Sequence, residues 1–304
     1  MKRELAEFFG TFVMVAVGTG AVALGASLLG VSLAFGCAVG GMIMLFGKVS
    51  GAHFNPVVSI AFALHGKLEK RKLLNFVVAQ CLGATAGALL VFLINDEVAG
   101  MTLPKESLST GLVFSIEIGI TFILMFTILR APCLVGTSIP RIAVLVGATV
   151  GINAYFFGPM TGASMNPART LGPAWVAGNG EYLWLYLLGP VMGGLLALAI
   201  HKSVPTKVEG CCYAKLTSLP PFSADSTQAI ITCWVLIARS GQRGSGVPDR
   251  ASFEKFLKSF VSWELGWLSL YSATATRLSR LSMLKSQTVW SNTGFDTVNA
   301  ISLP

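Results

Sequence analysis

The chain has 304 residues with a formal net charge of +8; 53% are hydrophobic, only 12% are charged, and the mean hydropathy is +0.70. Soluble domains carry about 25% charged residues, so this composition excludes an ordinary soluble domain and is typical of an integral membrane protein. The sequence has no nucleotide-binding loop, no His/Cys metal cluster and no paired carboxylates outside its apolar stretches. We therefore expect no enzymatic activity, no cofactor, no metal site and no nucleic-acid partner.

The apolar sequence divides into six stretches long enough to cross a bilayer, which takes about 17 to 25 helical residues. In chain order they are Leu5–Gly25, Val31–Gly47, Leu73–Ile94, Gly111–Leu129, Ile142–Phe157 and Tyr182–Ile200. Met1–Glu4 is too short for the basic region of a cleaved signal peptide, so we expect the first stretch to remain as the first span.

The Lys and Arg residues between the spans indicate the orientation, because cytoplasmic loops are enriched in both. With the N-terminus inside, the cytoplasmic segments carry Lys2, Arg3, Lys48, Lys67, Lys70, Arg71, Lys72, Arg130, Arg141 and Lys202. The exterior loops carry Lys105 alone, apart from Arg169, which directly follows the second of the two peptides described below. We expect a multi-pass protein of the cell membrane, plasma or inner, with both termini in the cytoplasm.

Two short peptides inside the apolar sequence predict a pair of half-helices. Ser50–Val57 (SGAHFNPV) returns as Thr161–Ala168 (TGASMNPA) 111 residues later, the difference between 161 and 50. Asn is a good helix N-cap and Pro suits the first helical position, so each copy predicts a loop entering a short helix. The caps and first residues would be Asn55, Pro56 and Val57, and Asn166, Pro167 and Ala168. Two such helices at membrane depth would aim their positive ends at a shared site, which suits a selective pore.

Weaker matches extend the repeat along the chain. Glu7-x-x-x-Thr11-Phe12 matches Glu117-x-x-x-Thr121-Phe122, and Gly83-x-x-x-Gly87 matches Gly189-x-x-x-Gly193. Each copy holds three spans, an odd number, so the second copy must lie upside down and the two loops can meet near the midplane. We expect an all-α membrane protein of six transmembrane helices and two re-entrant half-helices in an inverted repeat. Its channel domain would cover residues 1–202, with repeat one over 1–95 and repeat two over 111–202.

Glu7 and Glu117 stand out because a carboxylate inside an apolar span is costly and usually functional. We expect both to support the re-entrant loops by accepting hydrogen bonds from backbone N–H groups, and a proton relay is the alternative. The paired glycines have a structural interpretation, because small residues one helical turn apart allow close helix contact.

With these features the sequence closely resembles the major intrinsic protein family, the aquaporins and glycerol facilitators, over about residues 1 to 202. The resemblance rests on SGAHFNPVVS and TGASMNPARTLGP, which both lie between the expected spans. It implies a homotetramer with one pore per subunit, in which Asn55 and Asn166 donate hydrogen bonds to the permeating molecule. It also implies a ladder of backbone carbonyls from Gly51, Ala52, His53, Gly162, Ala163 and Ser164. Val57 replaces the Ala most common in the family, which adds two methyl groups near the constriction.

The resemblance assigns the family's outer filter, by counting from the two asparagines, to Phe35, Ala154, Ala163 and Arg169. Orthodox water channels have His at the second position, and glycerol facilitators have two aromatics and a Gly, so this chain matches neither type. Two alanines leave a wider opening than a filter with His, and Arg169 adds donors and a positive charge that deters cations. The combination is most similar to the nodulin-like branch and its bacterial relatives. That branch implies water and small uncharged polyols, amides or metalloid acids such as arsenous and boric acid.

We therefore expect a channel for passive flow of water and small uncharged solutes such as glycerol, excluding protons and ions. One alternative is a facilitator of metalloid acids with low water flux. A secondary transporter is another, because transporters also use inverted repeats and broken helices. The close glycine packing and the capped half-helices favour a static channel.

Residues 203–304 differ in character, with much Ser, four of the six Trp and no spanning segment. Ala229–Ala238 is apolar but too short to cross a bilayer. Apolar residues between Phe253 and Leu268 follow helical spacing, which suits an interfacial amphipathic helix or a small partner-binding element. We expect a poorly ordered cytoplasmic tail that is dispensable for conduction.

Overall fold

The structure, a computed structural model, describes residues 1–203, which form eight helices. They are α1 (Lys2–Ala23), α2 (Leu28–Phe46), α3 (Pro56–Leu64), α4 (Lys70–Asn95), α5 (Thr110–Val135), α6 (Ile139–Thr161), α7 (Pro167–Ala177) and α8 (Leu183–Ser203). The segment interpreted as a tail lies outside the described residues apart from Ser203, and so do its apolar stretch and its predicted amphipathic helix.

Within residues 1–203, six helices are long and apolar enough to span a membrane, which confirms the six predicted spans. The helices run further than the apolar stretches. α5 continues from the predicted end at Leu129 to Val135, and α6 begins at Ile139 rather than Ile142. Helical backbone can continue past the apolar region because long charged side chains there, such as Arg130 and Arg141, can extend toward water.

The start of α4 shows the same extension. It begins at Lys70, three residues before the predicted Leu73, and Glu69 just before it forms ion pairs with Arg71 and Lys72. Hydrogen bonds from Lys72 and Arg71 hold the pKa of the Glu69 carboxyl below its usual value.

The long helices pair in the same way in both halves of the chain. α1 packs on α4 and α5 on α8, while α2 and α6 pack on each other between the halves. Glycines allow the close contacts: a Cβ on Gly83 would lie 2.3 Å from the carbonyl oxygen of Phe8, and one on Gly193 would lie 2.3 Å from that of Ile118. The close helix contact predicted from the paired glycines is thus present in both copies.

The short helices α3 and α7 begin where the repeated peptides predicted. The Asn55 side chain accepts from the backbone N–H of Val57 at 2.9 Å, and Asn166 accepts from those of Ala168 at 3.0 Å and Arg169 at 3.3 Å. Pro occupies the first turn of each helix, where its missing N–H leaves no intrahelical bond unmade. Both half-helices pack against α4 and α8 and contact each other.

Candidate functional site

The loops that lead into α3 and α7 share an unusual backbone conformation. Ala52, Phe54, Ala163 and Met165 have positive φ angles of 53°, 51°, 43° and 52°, at equivalent positions of the two copies. Such angles cost a residue with a side chain on the order of 1–3 kcal/mol each, so surrounding contacts must hold the loops in place.

A buried carboxylate holds the first loop. One oxygen of Glu7 accepts from the Ser50 hydroxyl at 2.6 Å and the backbone N–H of His53 at 3.0 Å. The other oxygen accepts from the backbone N–H of Phe54 at 2.7 Å and from the Gln80 amide at 2.8 Å. Four donors therefore surround one carboxylate that has no solvent exposure.

Glu117 occupies the equivalent place in the second copy and is also fully buried. One of its oxygens accepts from the Thr161 hydroxyl at 2.7 Å and the backbone N–H of Ser164 at 3.0 Å, and the other accepts from that of Met165 at 3.0 Å. The Tyr186 hydroxyl donates to the Thr161 carbonyl at 2.7 Å and fastens this loop to α8. Each carboxylate thus binds one positive-φ residue of its loop directly, Phe54 or Met165, and holds the hydroxyl to which the other one donates.

The two asparagines join the loops crosswise. Asn55 Nδ2 donates to the Met165 carbonyl at 2.8 Å, and Asn166 Nδ2 donates to the Phe54 carbonyl at 2.8 Å. Because each Oδ1 caps its own helix, each carboxamide connects one half-helix to the opposite loop. The N-termini of α3 and α7 therefore lie together.

A cavity of about 370 Å³ passes this junction and is lined by both asparagines. Residues of both loops line it: Gly51, Ala52, His53, Phe54, Gly162, Ala163, Ser164 and Met165. Apolar helix residues form much of the rest, among them Val39, Ile43, Leu124, Val146 and Val150. The cavity thus combines loop backbone, which carries carbonyl groups, with an apolar wall.

The four residues assigned to the filter all line this cavity. Arg169 Cζ lies 4.9 Å from the ring centroid of Phe35, so a cation and an aromatic face form adjacent walls. The guanidinium is fixed because its Nη1 donates to the Gly100 carbonyl at 2.7 Å. Ala154 and Ala163 contribute only methyl groups beside them.

The residues that follow the asparagines are buried but do not line the cavity in the described part of the chain: Pro56, Val57, Pro167 and Ala168. Val57 is absent from the lining although Asn55 and Val58 line the cavity, so the expectation that its methyl groups lie near the constriction stays a prediction. A Cβ on Gly194 would lie 2.2 Å from Val57 Cγ1, so the valine fills the space that this glycine leaves on α8.

His53 lines the cavity while its ring packs among other side chains. Its Nδ1 lies 3.1 Å from the Ser59 hydroxyl, and its ring centroid lies 4.9 Å from that of Phe62 and 5.4 Å from that of Phe76. Gln80 donates to Ser59 at 2.9 Å as well as to Glu7, so the imidazole belongs to the network that supports the first loop.

Sequence reasoning missed several residues of the site. Phe54 and Met165 supply the carbonyls that accept the crosswise bonds. Each directly precedes the asparagine of its copy, and this shared position was the signal that could have identified them. Met14 lines the cavity with its sulfur 3.9 Å from Asn166 Nδ2, and Gly100 lies in the loop between α4 and α5. No sequence pattern marks either residue. Among residues 1–203, no three His, Cys, Asp or Glu side chains are grouped so as to hold a metal ion.

The family model described as Major intrinsic protein matches residues 1–201 of this chain. This range includes both half-helices, both buried carboxylates and all four positions assigned to the filter. The chain belongs to the major intrinsic protein family. The family resemblance inferred from the repeated peptides is therefore confirmed.

Known aquaporins and a solved aquaglyceroporin are similar to this chain over about two thirds of its length. Aquaporin NIP1-1 of Zea mays is 43% identical over 205 residues, covering 64% of this chain and 72% of the maize protein. Aquaporin-4 of Mus musculus is 36% identical over 216 residues, covering 67% of each chain. Among solved structures, the aquaglyceroporin from Plasmodium falciparum is 28% identical with a TM-score of 0.62, covering 67% of this chain and 96% of that protein. The predicted fold class, six spans and two half-helices in an inverted repeat, is confirmed.

Proposed function

We propose that this chain is a transmembrane channel for the passive flow of water and small uncharged solutes such as glycerol, and that it excludes protons and ions. The observation that carries the proposal is the cavity lined by Asn55, Asn166 and Arg169, where two capped half-helices meet. Membership of the major intrinsic protein family supports it, and so does the likeness to aquaporins and an aquaglyceroporin.

The cavity chemistry suits molecules that carry hydroxyl groups on a small apolar frame. A primary amide has two N–H donors, and Asn55 uses one of them on the Met165 carbonyl, so the other can serve a solute. Backbone carbonyls of the two loops can serve as further acceptors. The apolar helix residues of the lining accommodate CH groups, so water and polyols can exchange their hydration for bonds to the polar residues of the cavity.

The filter residues favour a wide range of neutral solutes over water alone. Ala154 and Ala163 leave the cavity wall open at the two positions beside Phe35 and Arg169. This observation also supports a second candidate, facilitated flow of metalloid acids such as arsenous or boric acid, which are small neutral polyhydroxy compounds. In both candidates Glu7 and Glu117 support the loops and take no part in proton transfer.

Ion exclusion follows from charge and desolvation. The N-termini of α3 and α7 carry the positive ends of their helix dipoles, and both lie at the asparagine junction. Arg169 adds a full positive charge at the filter, where a cation would also have to shed its water. Neutral solutes have no net charge for these groups to repel, and their desolvation costs far less than that of an ion.

The decisive experiment is stopped-flow light scattering on proteoliposomes of the full chain, with water, glycerol and arsenous acid gradients. We expect flux above that of empty liposomes for water and at least one solute, proportional to the gradient. Ala154→Trp should block it by filling the cavity, whereas Leu188→Trp, on an outer face that is 54% exposed, should not. Saturable flux that exchanges one solute for another would instead indicate a secondary transporter.

We further propose a homotetramer in the plasma or inner membrane, with residues 1–202 as the channel domain and both termini cytoplasmic. Lys202 Nζ donates to the Leu64 carbonyl at 3.2 Å, so the ends of α3 and α8 share one face of the protein. Lys67 lies just past α3 on that basic side, which supports a cytoplasmic location. Crosslinking in membranes tests the tetramer, and protease access to the C-terminus of right-side-out vesicles tests the orientation.

A further inference from the structure

The Phe35 ring packs against α1 at Gly18, in space that a side chain at position 18 would occupy. A Cβ on Gly18 would lie 2.2 to 2.4 Å from three ring carbons of Phe35, well inside van der Waals contact. Gly18 is buried and does not line the cavity within the described residues. A side chain at position 18 would therefore meet the Phe35 ring, which does line the cavity.

The next residue, Thr19, supports the adjacent wall, which carries Arg169. A Cβ on Gly100 would lie 2.9 Å from Thr19 Cγ2 and 3.1 Å from Thr19 Cα, so the loop backbone rests directly on α1. The Thr19 hydroxyl donates to the Val15 carbonyl at 2.7 Å, which turns its methyl group toward Gly100. The Gly100 carbonyl in turn accepts from Arg169. Positions 18 and 19 of α1 thus support both the aromatic and the cationic side of the filter.

We propose that Gly18 is a positioning residue that sets the width of the constriction by letting the Phe35 ring lie back against α1. This inference rests on the proposed channel function. The ring is only 6% exposed, and the open space next to it is the cavity, where Arg169 Cζ lies 4.9 Å from its centroid. Packed protein walls yield little, so a methyl group at position 18 displaces the ring toward the pore.

Gly18→Ala in full-length proteoliposomes tests this inference. We expect glycerol permeability to fall about tenfold or more, since overpacking by a methyl group typically costs enough free energy for that change. Water permeability should fall less, so the solute-to-water ratio changes. Gly20→Ala is the matched control on the same helix, because its Cβ would meet its nearest neighbour, Val91 Cγ2, at an ordinary 3.7 Å. That variant should keep the wild-type ratio.

A double-mutant cycle with Phe35→Ala shows whether Gly18 acts through the ring. In the Phe35→Ala background, Gly18→Ala should leave the ratio unchanged, because the group that it displaces is absent. An equal loss of glycerol flux in both backgrounds, or no change in either, overturns the proposal. If Gly18→Ala alone does not fold, recovery of folded protein in the double variant supports it, and failure of the double variant overturns it.

Failure of the channel function itself would be seen separately, as a wild-type protein that conducts neither water nor solute. The positioning role is then judged by thermal unfolding in detergent. Gly18→Ala should lower Tm when Phe35 is present and not when it is Ala. Additive Tm shifts would overturn the positioning role whatever the protein conducts.

Discussion

At the scale of single residues, the proposed filter is notable for the small side chain at position 154. If Ala154 borders the narrowest opening beside Phe35, Ala154→His should narrow that opening, because an imidazole is far bulkier than a methyl group and the surrounding wall yields little. We expect glycerol flux to fall by about an order of magnitude while water keeps much of its flux. Stopped-flow permeabilities for both compounds measure the ratio.

The reverse change is the control for this prediction. Phe35→Ala should relax selectivity without abolishing flow, because it widens the same opening from another side. An unchanged glycerol-to-water ratio in Ala154→His would remove position 154 from the filter.

Val57 of α3 and Gly194 of α8 are a pair of packing residues whose side-chain sizes complement each other. Because Val57 Cγ1 occupies the place of a Gly194 side chain, Gly194→Ala should overpack the contact between α3 and α8. We expect a loss of stability of about 1–3 kcal/mol, measured by thermal unfolding in detergent. Val57→Ala/Gly194→Ala should recover most of it.

Gly119→Ala is the matched control, since a Cβ on Gly119 of α5 would have no neighbour within 4 Å. If Gly194→Ala were as neutral as this control, or if Val57→Ala gave no recovery, the two residues would not be complementary.

At the scale of elements, the half-helices depend on the carboxylates behind their loops. In the wild type, both oxygens of each carboxylate accept from a backbone N–H. In Glu7→Gln or Glu117→Gln, an NH₂ group replaces one of these oxygens, so one buried backbone N–H loses its acceptor. We expect each to lose about 1–3 kcal/mol of stability and most of its water flux. Glu97→Gln, at an exposed loop carboxylate, is the control for both.

The same variants separate structural support from a proton relay. A relay predicts wild-type stability and water flux in the Gln variants, with only a proton-linked signal altered. That outcome would contradict the supporting role inferred from the hydrogen bonds of the two loops.

Sequence reasoning reached these elements because their signals are local or repeated. Asn55-Pro56 and Asn166-Pro167 each contain a cap and a first-turn proline, so both half-helices could be predicted from four residues. The span ends were less accurate, as at Val135, because hydropathy detects the apolar region and not the end of helical backbone. The crosswise bonds could not be predicted, because they join residues about 110 positions apart through their backbone carbonyls.

The roles of Val57 and Gly18 depend on which residues they contact in the fold, and the sequence does not show these contacts. Val57 was predicted from its type to add two methyl groups near the constriction, and only the structure shows that one of them packs against Gly194 of α8. Gly18 resembles any other glycine of an apolar helix until the Phe35 ring is found against it.

At the scale of the whole molecule, the first prediction concerns the part of the chain needed for conduction. A protein truncated after Lys202 retains all eight helices apart from Ser203, together with the cavity lining and the filter. We expect it to insert and to conduct water at close to the full-length rate in proteoliposomes. Loss of flux in a correctly inserted truncation would assign residues 203–304 a role in gating or assembly.

The second prediction at this scale is the absence of proton flow. Two helix N-termini and Arg169 oppose a cation along one path, so a pH gradient across proteoliposomes should decay no faster with protein than without it. A pH-sensitive dye inside the vesicles measures the decay, and gramicidin provides the positive control. Faster decay than in protein-free liposomes would refute ion exclusion.

The crosswise asparagine bonds also bear on symmetry. Each half of the chain donates from its carboxamide to the loop of the other half, so the two bonds are related by the repeat. Two identical one-repeat chains paired about an exact two-fold axis would make the same bond twice, and every other residue would also occur twice. Because both copies lie in one chain, they can differ: the positions 111 residues from Phe35 and Arg169 hold Val146 and Val58. The pairing of one aromatic ring with one guanidinium is thus an asymmetry that a dimer of identical chains could not contain.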